Sequence, residues 1–237
     1  MGVAAVVLAG GSGTRLGAER NKVYLEVGGM PVLGWSLRTL DLHPDIELVV
    51  VVIRPGDEDE VEAVLDVVGP VTPVLGVHGG TTRTASEQAA LAALAPDIHD
   101  GLIDMVLVHD GARPFADLDL IDRVLTGAAA HGAAVPALAV EAPLWRADDD
   151  GVRPIDVSSL RRVQTPQGAI AAPLLTALAA AGDDGVDTAQ TLARGAGLAA
   201  VVVAGDERNL KVTTVDDLAR AEALAARLVD GRWCDDA

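Results

Sequence analysis

The segment Leu8-Ala-Gly-Gly-Ser-Gly-Thr-Arg-Leu-Gly17, with Lys22 shortly after it, is the part of the chain from which a fold can be argued outward. It follows the apolar run Val3–Leu8, which is typical of a buried parallel strand. Its glycines allow a tight backbone turn and a close approach to a ligand, and such a loop directs several N–H groups at one point. These glycines are Gly10, Gly11 and Gly13. With Arg15 and Lys22 beside it, the loop predicts a phosphate site.

An ordinary glycine-rich turn, with Arg15 and Lys22 simply solvated, is the alternative interpretation. Two common phosphate loops are excluded by the spacing. The chain has no G-x-x-x-x-G-K-[ST] in this segment, and Leu16 stands where G-x-G-x-x-G requires its last glycine.

Composition limits the classes of protein that fit. At 237 residues the chain is long enough for one α/β domain with a full core, and we predict a single domain over residues 1–237. Half of the residues are apolar but only 2% are aromatic, so the core must consist mainly of Ala, Val and Leu. A net charge of −17 argues against a nucleic-acid surface, which needs a basic patch.

The expected compartment follows from what the sequence does not contain. One cysteine, Cys234, excludes an internal disulfide and a cysteine-based metal cluster. No signal peptide pattern and no apolar run of membrane-spanning length is found. We therefore expect a cytoplasmic protein without membrane contact.

Strand and helix patterns alternate along the chain, which predicts an α/β fold with a mostly parallel, helix-covered sheet. The predicted strands are Val3–Leu8, Ile46–Ile53, Val71–Val77, Met105–Val108, Ala133–Val140 and Ala199–Val203. The predicted helices are Pro31–Leu40, Asp57–Asp66, Thr84–Leu94, Leu118–Ala130, Pro173–Ala181, Thr188–Arg194 and Val215–Leu224. Ligands of such sheets bind beyond the carboxyl ends of the strands, so the glycine loop, Gly79-Gly80 and Asp110 should face one pocket.

The alternation breaks at about residues 141–164. Two short runs, Leu144–Ala147 and Val152–Val157, flank the turn-forming Asp148-Asp-Asp-Gly151 and predict a projecting β-hairpin. An isolated hairpin has no core of its own, so we expect this arm to pack on a second subunit of a homodimer. A disordered acidic loop is the alternative.

Several separated motifs resemble one family. The glycine loop is similar to the L-A-x-G-x-G-x-R signature of nucleotidyltransferases, although Asn21 stands where proline usually precedes the lysine. The segments Leu107–Pro114, Val163–Gly168 and Asn209–Thr213 resemble the 2-C-methyl-D-erythritol 4-phosphate cytidylyltransferases and their polyol-phosphate relatives. Gly79-Gly80-Thr81-Thr82-Arg83 with Ser86 is similar to that family's base-recognition segment. The resemblance covers nearly the whole chain and implies a Rossmann-like, three-layer nucleotidyltransferase fold.

The resemblance also implies a reaction and a set of roles. CMP would pass from CTP to a small phosphorylated polyol, by default 2-C-methyl-D-erythritol 4-phosphate of the isoprenoid precursor pathway, with release of pyrophosphate. The implied catalytic residues are Arg15, Lys22 and Lys211. The implied substrate-binding residues are Ala9, Gly10, Gly11, Gly13, Gly80, Thr81, Arg83, Ser86, Asp110, Gly111, Arg113 and Thr165. Asp110 would ligate Mg²⁺ or, alternatively, hold an acceptor hydroxyl.

The acceptor half of the pattern departs from the family. Ala142 and Pro143 replace an Asp-Thr pair, Val157 replaces an arginine that binds the acceptor phosphate, and a Thr-Asp-Asp-Ala element is reduced to residues 186–189. Arg161 or Arg162 could supply the missing cation. Another acceptor, such as ribitol 5-phosphate or a phosphonate, is therefore an open alternative. A catalytically silent nucleotide-binding homologue is a further one, although retention of the three catalytic cations counts against it.

Overall fold

The computed structural model describes residues 1–11, 21–148, 151–182 and 187–234. Its strands are β1 (Val3–Leu8), β2 (Glu26–Val27), β3 (Met30–Pro31), β4 (Ile46–Ile53), β5 (Val74–His78), β6 (Met105–Asp110), β7 (Ala133–Ala139), β8 (Leu144–Asp148), β9 (Gly151–Ile155), β10 (Arg161–Val163), β11 (Gln167–Ile170), β12 (Val201–Ala204), β13 (Leu228–Val229) and β14 (Arg232–Trp233). Its helices are α1 (Val32–Asp41), α2 (Glu58–Val68), α3 (Arg83–His99), α4 (Leu118–His131), α5 (Ala171–Ala180), α6 (Thr188–Gly195) and α7 (Val215–Ala225).

One sheet of eight strands organises the chain, in the order β10-β7-β11-β6-β1-β4-β5, with β12 paired to β7. The strands β4, β1 and β6 lie side by side in parallel, and β5 is parallel to β4. Among the described strands, β10 and β11 run antiparallel to the other strands of this sheet. The prediction of an α/β fold with a mostly parallel sheet is therefore confirmed.

Alternate residues of the central strands face two helical layers. Ala5 and Val7 of β1 belong to the core cluster that contains Leu37 of α1 and Val124 of α4. Ala4 and Val6 belong to a second cluster, on the other face, that is built with residues of α3 and α5. Because both faces are buried, β1 is a continuous apolar run without alternation, and so is β4 from Leu48 to Ile53. This arrangement gives three layers.

Three of the five aromatic residues belong to a third, smaller core. Trp35 of α1, Phe115 and Trp233 of β14 stack edge to face, with ring centroids 5.7 and 5.9 Å apart. Leu210 and Val212 are buried in the same cluster. The residue between them, Lys211, is thus carried on a segment fixed to the core on both sides.

Several boundaries differ from the predictions. The strand predicted from Val71 begins at Val74, and the helix predicted to end at Leu94 continues to His99. Pro31 precedes α1 in an extended conformation rather than occupying its first turn. Strands β10 and β11 were not predicted, because they are short and are stabilised by pairing with β6 and β7 rather than by an apolar pattern of their own.

The predicted hairpin is present. Strands β8 and β9 pair with each other as a separate two-stranded sheet, and nearly all of their residues are exposed. The hairpin occupies residues 144–155, and the chain returns to the central sheet at Arg161, the first residue of β10. Asp149 and Asp150 of the predicted turn lie outside the described residues. Within the described ranges, no helix has both the length and the apolar character needed to cross a membrane.

Candidate active site

The carboxyl ends of the parallel strands meet at two cavities. The first cavity, of about 360 Å³, lies beyond β1 and β6 and is lined by residues that include Gly10, Gly11, Lys22, Gly80, Thr81, Arg83, Ser86, Asp110 and Lys211. The second cavity, of about 440 Å³, is lined by residues that include Arg83, Asp110, Arg113, Gln164, Thr165, Asp187 and Lys211. Arg83, Asp110 and Lys211 line both cavities and therefore form the boundary between them.

Most of the predicted site residues line these two cavities, and two further ones, Ala9 and Gly111, lie at the end of β1 and directly after β6. Ala9 is buried, and its N–H donates to Val52 O at 2.8 Å. Gly111 packs against the end of β1, where an added Cβ would lie 3.1 Å from Leu8 O. Gly13 and Arg15 fall outside the described residues, so their predicted roles stay predictions.

Lys22 is held at the mouth of the first cavity by a short 3-10 helix, Lys22–Tyr24. The buried Asn21 side chain accepts from Val23 N–H at 3.4 Å and donates to Ala9 O at 2.7 Å. This carboxamide therefore ties the helix to the end of β1. On the other side, the Tyr24 hydroxyl donates to Asp57 Oδ2 at 3.2 Å, and burial raises the Tyr24 pKa, which keeps the hydroxyl a donor. From the sequence alone, Asn21 was noted only because it stands where the similar nucleotidyltransferases usually have proline.

Gly79 and Gly80 fold tightly over the start of α3. A Cβ on Gly79 would lie 2.7 Å from Ser86 Oγ, and one on Gly80 would lie 2.4 Å from the Ala85 Cβ. Neither position has room for a side chain, which explains the glycine pair. Thr82 begins the helix by accepting from Ala85 N–H at 3.1 Å. The turn thus places its backbone at the wall of the first cavity.

Alternating charges run through the boundary between the cavities. Glu87 Oε1 lies 2.9 Å from Arg83 Nε, the Arg83 guanidinium donates to Asp110 Oδ1, and Lys211 Nζ donates to Asp110 Oδ2 at 2.7 Å. We call Glu87, Arg83, Asp110 and Lys211 the charge cluster. Arg113 Nε stands 3.7 Å from Asp110 Oδ2, while its Nη1 donates to Asn209 O at 2.8 Å.

Burial and neighbouring charge set the protonation states of the two acids. Burial alone would raise the pKa of the Asp110 carboxyl, but the charges of Arg83 and Lys211 outweigh it and hold that pKa well below its usual range. For Glu87, the positive charge of Arg83 and the Thr188 hydrogen bond lower the pKa, but the effect of burial is larger and raises it to about 7. Asp110 is therefore ionised at every physiological pH, whereas Glu87 changes charge close to neutrality.

Thr165 is hydrogen-bonded to the backbone of Asp110. Its Oγ1 accepts from Asp110 N–H at 3.0 Å and lies 3.3 Å from His109 Nδ1. Because His109 Nε2 lies 3.0 Å from the Arg113 carbonyl oxygen, Nε2 carries the proton and Nδ1 accepts from the Thr165 hydroxyl. Burial lowers the pKa of His109 to about 4, so the ring is neutral. The hydroxyl hydrogen of Thr165 is thus bonded to His109 Nδ1 and not directed at a ligand.

The candidate replacements for the missing acceptor cation differ in position. Arg161 Nη1 donates to the carbonyl oxygens of Ser158 and Leu160, within its own loop. Arg162 pairs with both Glu207 carboxylate oxygens, at 2.6 and 2.7 Å, and lines a cavity that it shares with Arg113 and Lys211. Arg162 is therefore the cation nearer to the second cavity's residues.

No described group of three His, Cys, Asp or Glu side chains is arranged to hold a metal ion. Asp110 is the predicted ligand, but each of its oxygens already accepts from a cation. A directly bound Mg²⁺ would compete with Arg83 and Lys211 for this carboxylate, so these contacts do not favour ligation by Asp110.

The whole chain can be compared with known proteins. The family model described as 2-C-methyl-D-erythritol 4-phosphate cytidylyltransferase matches residues 3–227. The bifunctional enzyme IspD/IspF of Dinoroseobacter shibae is 41% identical over 226 residues, which cover 94% of this chain and 53% of that protein. The chain therefore spans about half the length of the bifunctional relatives that it matches.

Single-function relatives match end to end. The 2-C-methyl-D-erythritol 4-phosphate cytidylyltransferase of Cereibacter sphaeroides is 37% identical over 227 residues, covering 95% of this chain and 98% of that protein. The crystal structure of 4-diphosphocytidyl-2C-methyl-D-erythritol synthase from Anaerococcus prevotii superposes with a TM-score of 0.81 at 28% identity, over 95% of this chain and 99% of that one. The family model's match, over residues 3–227, spans the glycine loop, the charge cluster and the arm. The chain belongs to the 2-C-methyl-D-erythritol 4-phosphate cytidylyltransferase family.

Proposed function

We propose that the protein transfers CMP from CTP to 2-C-methyl-D-erythritol 4-phosphate and releases pyrophosphate. The observation that carries this proposal is the junction of two cavities at Arg83, Asp110 and Lys211. A reaction between a triphosphate and a phosphorylated acceptor needs two adjoining anion sites with shared cations. The relatives' names supply the identity of the two substrates.

In the proposed reaction an acceptor phosphate oxygen forms a bond to the α-phosphorus of CTP, and the bond from that phosphorus to the α–β bridging oxygen breaks. Both reactants are anions, so alignment and cationic stabilisation are the main contributions of the protein. Pyrophosphate leaves with the electron pair of the broken bond. Lys22, together with Arg15, stabilises the charge that develops on it.

Lys211 is the group best placed to serve both substrates. Its ammonium has three N–H donors, and one of them is directed at Asp110 Oδ2. The other two remain for phosphate oxygens on either side of the boundary. Because Asp110 stays ionised, it keeps Lys211 protonated and limits the directions in which the ammonium can point.

The first cavity is assigned to CTP. The backbone of the Gly79–Gly80 turn and the Ser86 hydroxyl, which lies 3.5 Å from Gly80 O, are the groups that read the base. Backbone donors and acceptors in a tight turn can distinguish cytosine from uracil by hydrogen bonding. The nucleotide enters as its Mg²⁺ complex, because this ion prefers phosphate oxygens and retained waters to a protein cage.

We further propose that the protein works as a cytoplasmic homodimer and binds neither nucleic acid nor membranes. The arm supports the dimer, because it exposes Trp145 and Val152 by 58% and 64% and has no core of its own. The net charge of −17 supports the expected lack of nucleic-acid binding.

A different phosphorylated acceptor is the second candidate. It is favoured by the arm, where Ala142 and Pro143 are exposed and carry no group that binds a polyol hydroxyl, and by Val157 at a position of expected positive charge. In that case Arg162 of β10, which lines a third cavity together with Arg113 and Lys211, would replace that charge.

Release of pyrophosphate from CTP, in the presence of Mg²⁺ and each candidate acceptor, tests the proposal. The acceptors are 2-C-methyl-D-erythritol 4-phosphate, ribitol 5-phosphate and a polyol phosphonate. Turnover with the first is expected, and turnover only with another would transfer the proposal to that acceptor. No turnover with any of them, by protein that binds CTP, would contradict the assignment of a cytidylyltransferase activity.

A further inference from the structure

The buried acid Glu87 lies directly behind the site and has no part in the reaction described above. It belongs to the stripe Thr84, Glu87, Leu91, Leu94 and Ile98 of α3, whose members are all buried. Their spacing of three and four residues is that of a helix face packed on a sheet. An acid with 0% exposure in the middle of such a stripe is expensive to bury, unless it is paired.

The partners of Glu87 connect two parts of the site. Arg83 lies one turn before it on the same helix, and Thr188 of α6 donates a hydrogen bond to Glu87 Oε1 at 3.0 Å. Beyond Arg83, the next charge is Asp110 of β6, and Asp187 precedes α6. Glu87 is therefore the fixed inner end of a row that runs outward through Arg83 and Asp110 to Lys211.

The first consequence is geometric. Arg83 contacts a carboxylate at each end: Glu87 Oε1 lies 2.9 Å from Nε as an ion pair without hydrogen-bond alignment, and the other end of the guanidinium donates to Asp110 Oδ1. Turning the guanidinium away from either carboxylate would separate opposite charges in a largely buried place. Without Glu87, Arg83 would lose one of its two ion pairs, and the position of the Asp110 carboxylate, which is the partner of Lys211, would be less restricted.

The second consequence is electrostatic. The row contains two positive groups, Arg83 and Lys211, and two negative groups, Glu87 and Asp110. Removing the charge of Glu87 leaves one excess positive charge beside two cavities that take anions. Phosphate binding should then be unchanged or tighter. Loss of the Lys211 position should therefore lower kcat, whereas the added positive charge should leave the KM of the phosphorylated acceptor unchanged or lower it.

We propose that Glu87 is a positioning residue, which acts through Arg83 and Asp110 to hold Lys211 in its productive place between the two substrates. This inference rests on the proposed function for its kinetic consequence, but not for its structural one. The conformational stability of the protein does not require the charge. Burial raises the pKa of Glu87 to about 7, so its ionised form is the less favourable one in the folded state.

The decisive variant is Glu87→Gln, which keeps the shape and an acceptor for Thr188 but removes the charge. Steady-state kinetics at about pH 8, where wild-type Glu87 is mostly ionised, should show kcat lowered about tenfold or more, as expected when a reacting group is displaced by a fraction of an ångström. The KM of the phosphorylated acceptor should stay the same or fall. Glu87→Asp retains the charge on a shorter stem and should fall between wild type and Glu87→Gln in kcat.

Gln88→Ala is the matched control on the same helix. The Gln88 amide joins α3 to α5 through Leu178 O and Ala181 O, at 2.8 and 3.1 Å, and does not contact the charge cluster. This variant should lower the melting temperature and leave kcat unchanged. A kcat for Glu87→Gln equal to that of wild type would overturn the proposal, and so would a lower acceptor KM as its only change.

A crystal structure of Glu87→Gln separates this proposal from the proposed function, because it needs no turnover. The Arg83 guanidinium should leave its wild-type position, and Lys211 Nζ should move or become disordered. If both groups stay in place, Glu87 does not position them, whatever reaction the protein catalyses. If they move in a protein without cytidylyltransferase activity, the positioning role stands and the assigned reaction fails.

Discussion

Replacing Asp110 with asparagine should destabilise the protein strongly, because this carboxylate is the common partner of Arg83 and Lys211. The side chain of Asp110 is 10% exposed, whereas those of Arg83 and Lys211 are 24% and 41% exposed. Removing one partner of a buried ion pair costs about 3–5 kcal/mol. Since Lys211 can turn partly towards water, we expect a cost below that range, about 2–3 kcal/mol.

The loss can be measured by urea unfolding at pH 7, followed by tryptophan fluorescence. For a chain of this size, each kcal/mol shifts the melting temperature by roughly 2–4 °C, so a decrease of about 5–10 °C should accompany it. Asp230→Asn is the matched control. Asp230 pairs with Arg38 at the surface, where the two side chains are 73% and 47% exposed, and its loss should cost at most about 1 kcal/mol.

The dependence on pH gives a second, independent check. The folded-state pKa of Asp110 is lowered, so its stabilisation is present above the unfolded pKa of about 3.9 and is lost only as the pH falls towards the folded value. The difference between wild type and Asp110→Asn should therefore be constant between about pH 5.5 and pH 8. A difference below about 0.5 kcal/mol at pH 7, or one that vanishes at the lower pH, would refute the reasoning.

Three further outcomes are expected. Glu87→Gln should become more stable relative to wild type as the pH rises from about 5 to 8. The folded-state pKa of Glu87, about 7, lies above the unfolded value, so wild type loses stability as the pH rises between these two pKa values. A difference in urea unfolding that stays constant over this range would contradict the prediction. Asn21→Ala should lower kcat more than the affinity for CTP, since the carboxamide holds Lys22 rather than the nucleotide, and equal loss in kinetics and calorimetry would argue against it. Deletion of residues 145–156 should convert a dimer into a monomer in sedimentation experiments, and a monomer in both forms would disprove the role of the arm.

The fold was predictable where the apolar pattern is continuous. Val3–Leu8 and Ile46–Ile53 were predicted with their observed bounds, because strands buried on both faces give nearly continuous apolar runs, and the exposed Glu47 lies close to the start of the second strand. The antiparallel β11 escaped prediction, because Gln167 and Gly168 give no strand pattern. Their strand conformation comes from pairing with Val108 and Leu107, about sixty residues earlier in the chain.

The candidate site was predictable to a similar degree. The rule that ligands bind at the carboxyl ends of parallel strands brought the glycine loop, Gly80 and Asp110 to one place, and the described parts of these segments do line one cavity. Glu87 was not found, because its partner Thr188 lies 101 residues away. One signal was available in the sequence, since Glu87 interrupts the otherwise largely apolar stripe of α3 at a core position.

The shared boundary between the cavities has a thermodynamic consequence. A ligand that draws Lys211 from Asp110 on one side changes the charges that the other side presents, so we expect ligands of the two cavities to influence each other's binding. Under the proposed function, whatever factor CTP applies to the affinity for the acceptor, the acceptor must apply the same factor to the affinity for CTP. Calorimetric titrations of each substrate, with and without a non-reacting analogue of the other, would measure that single coupling free energy from both directions.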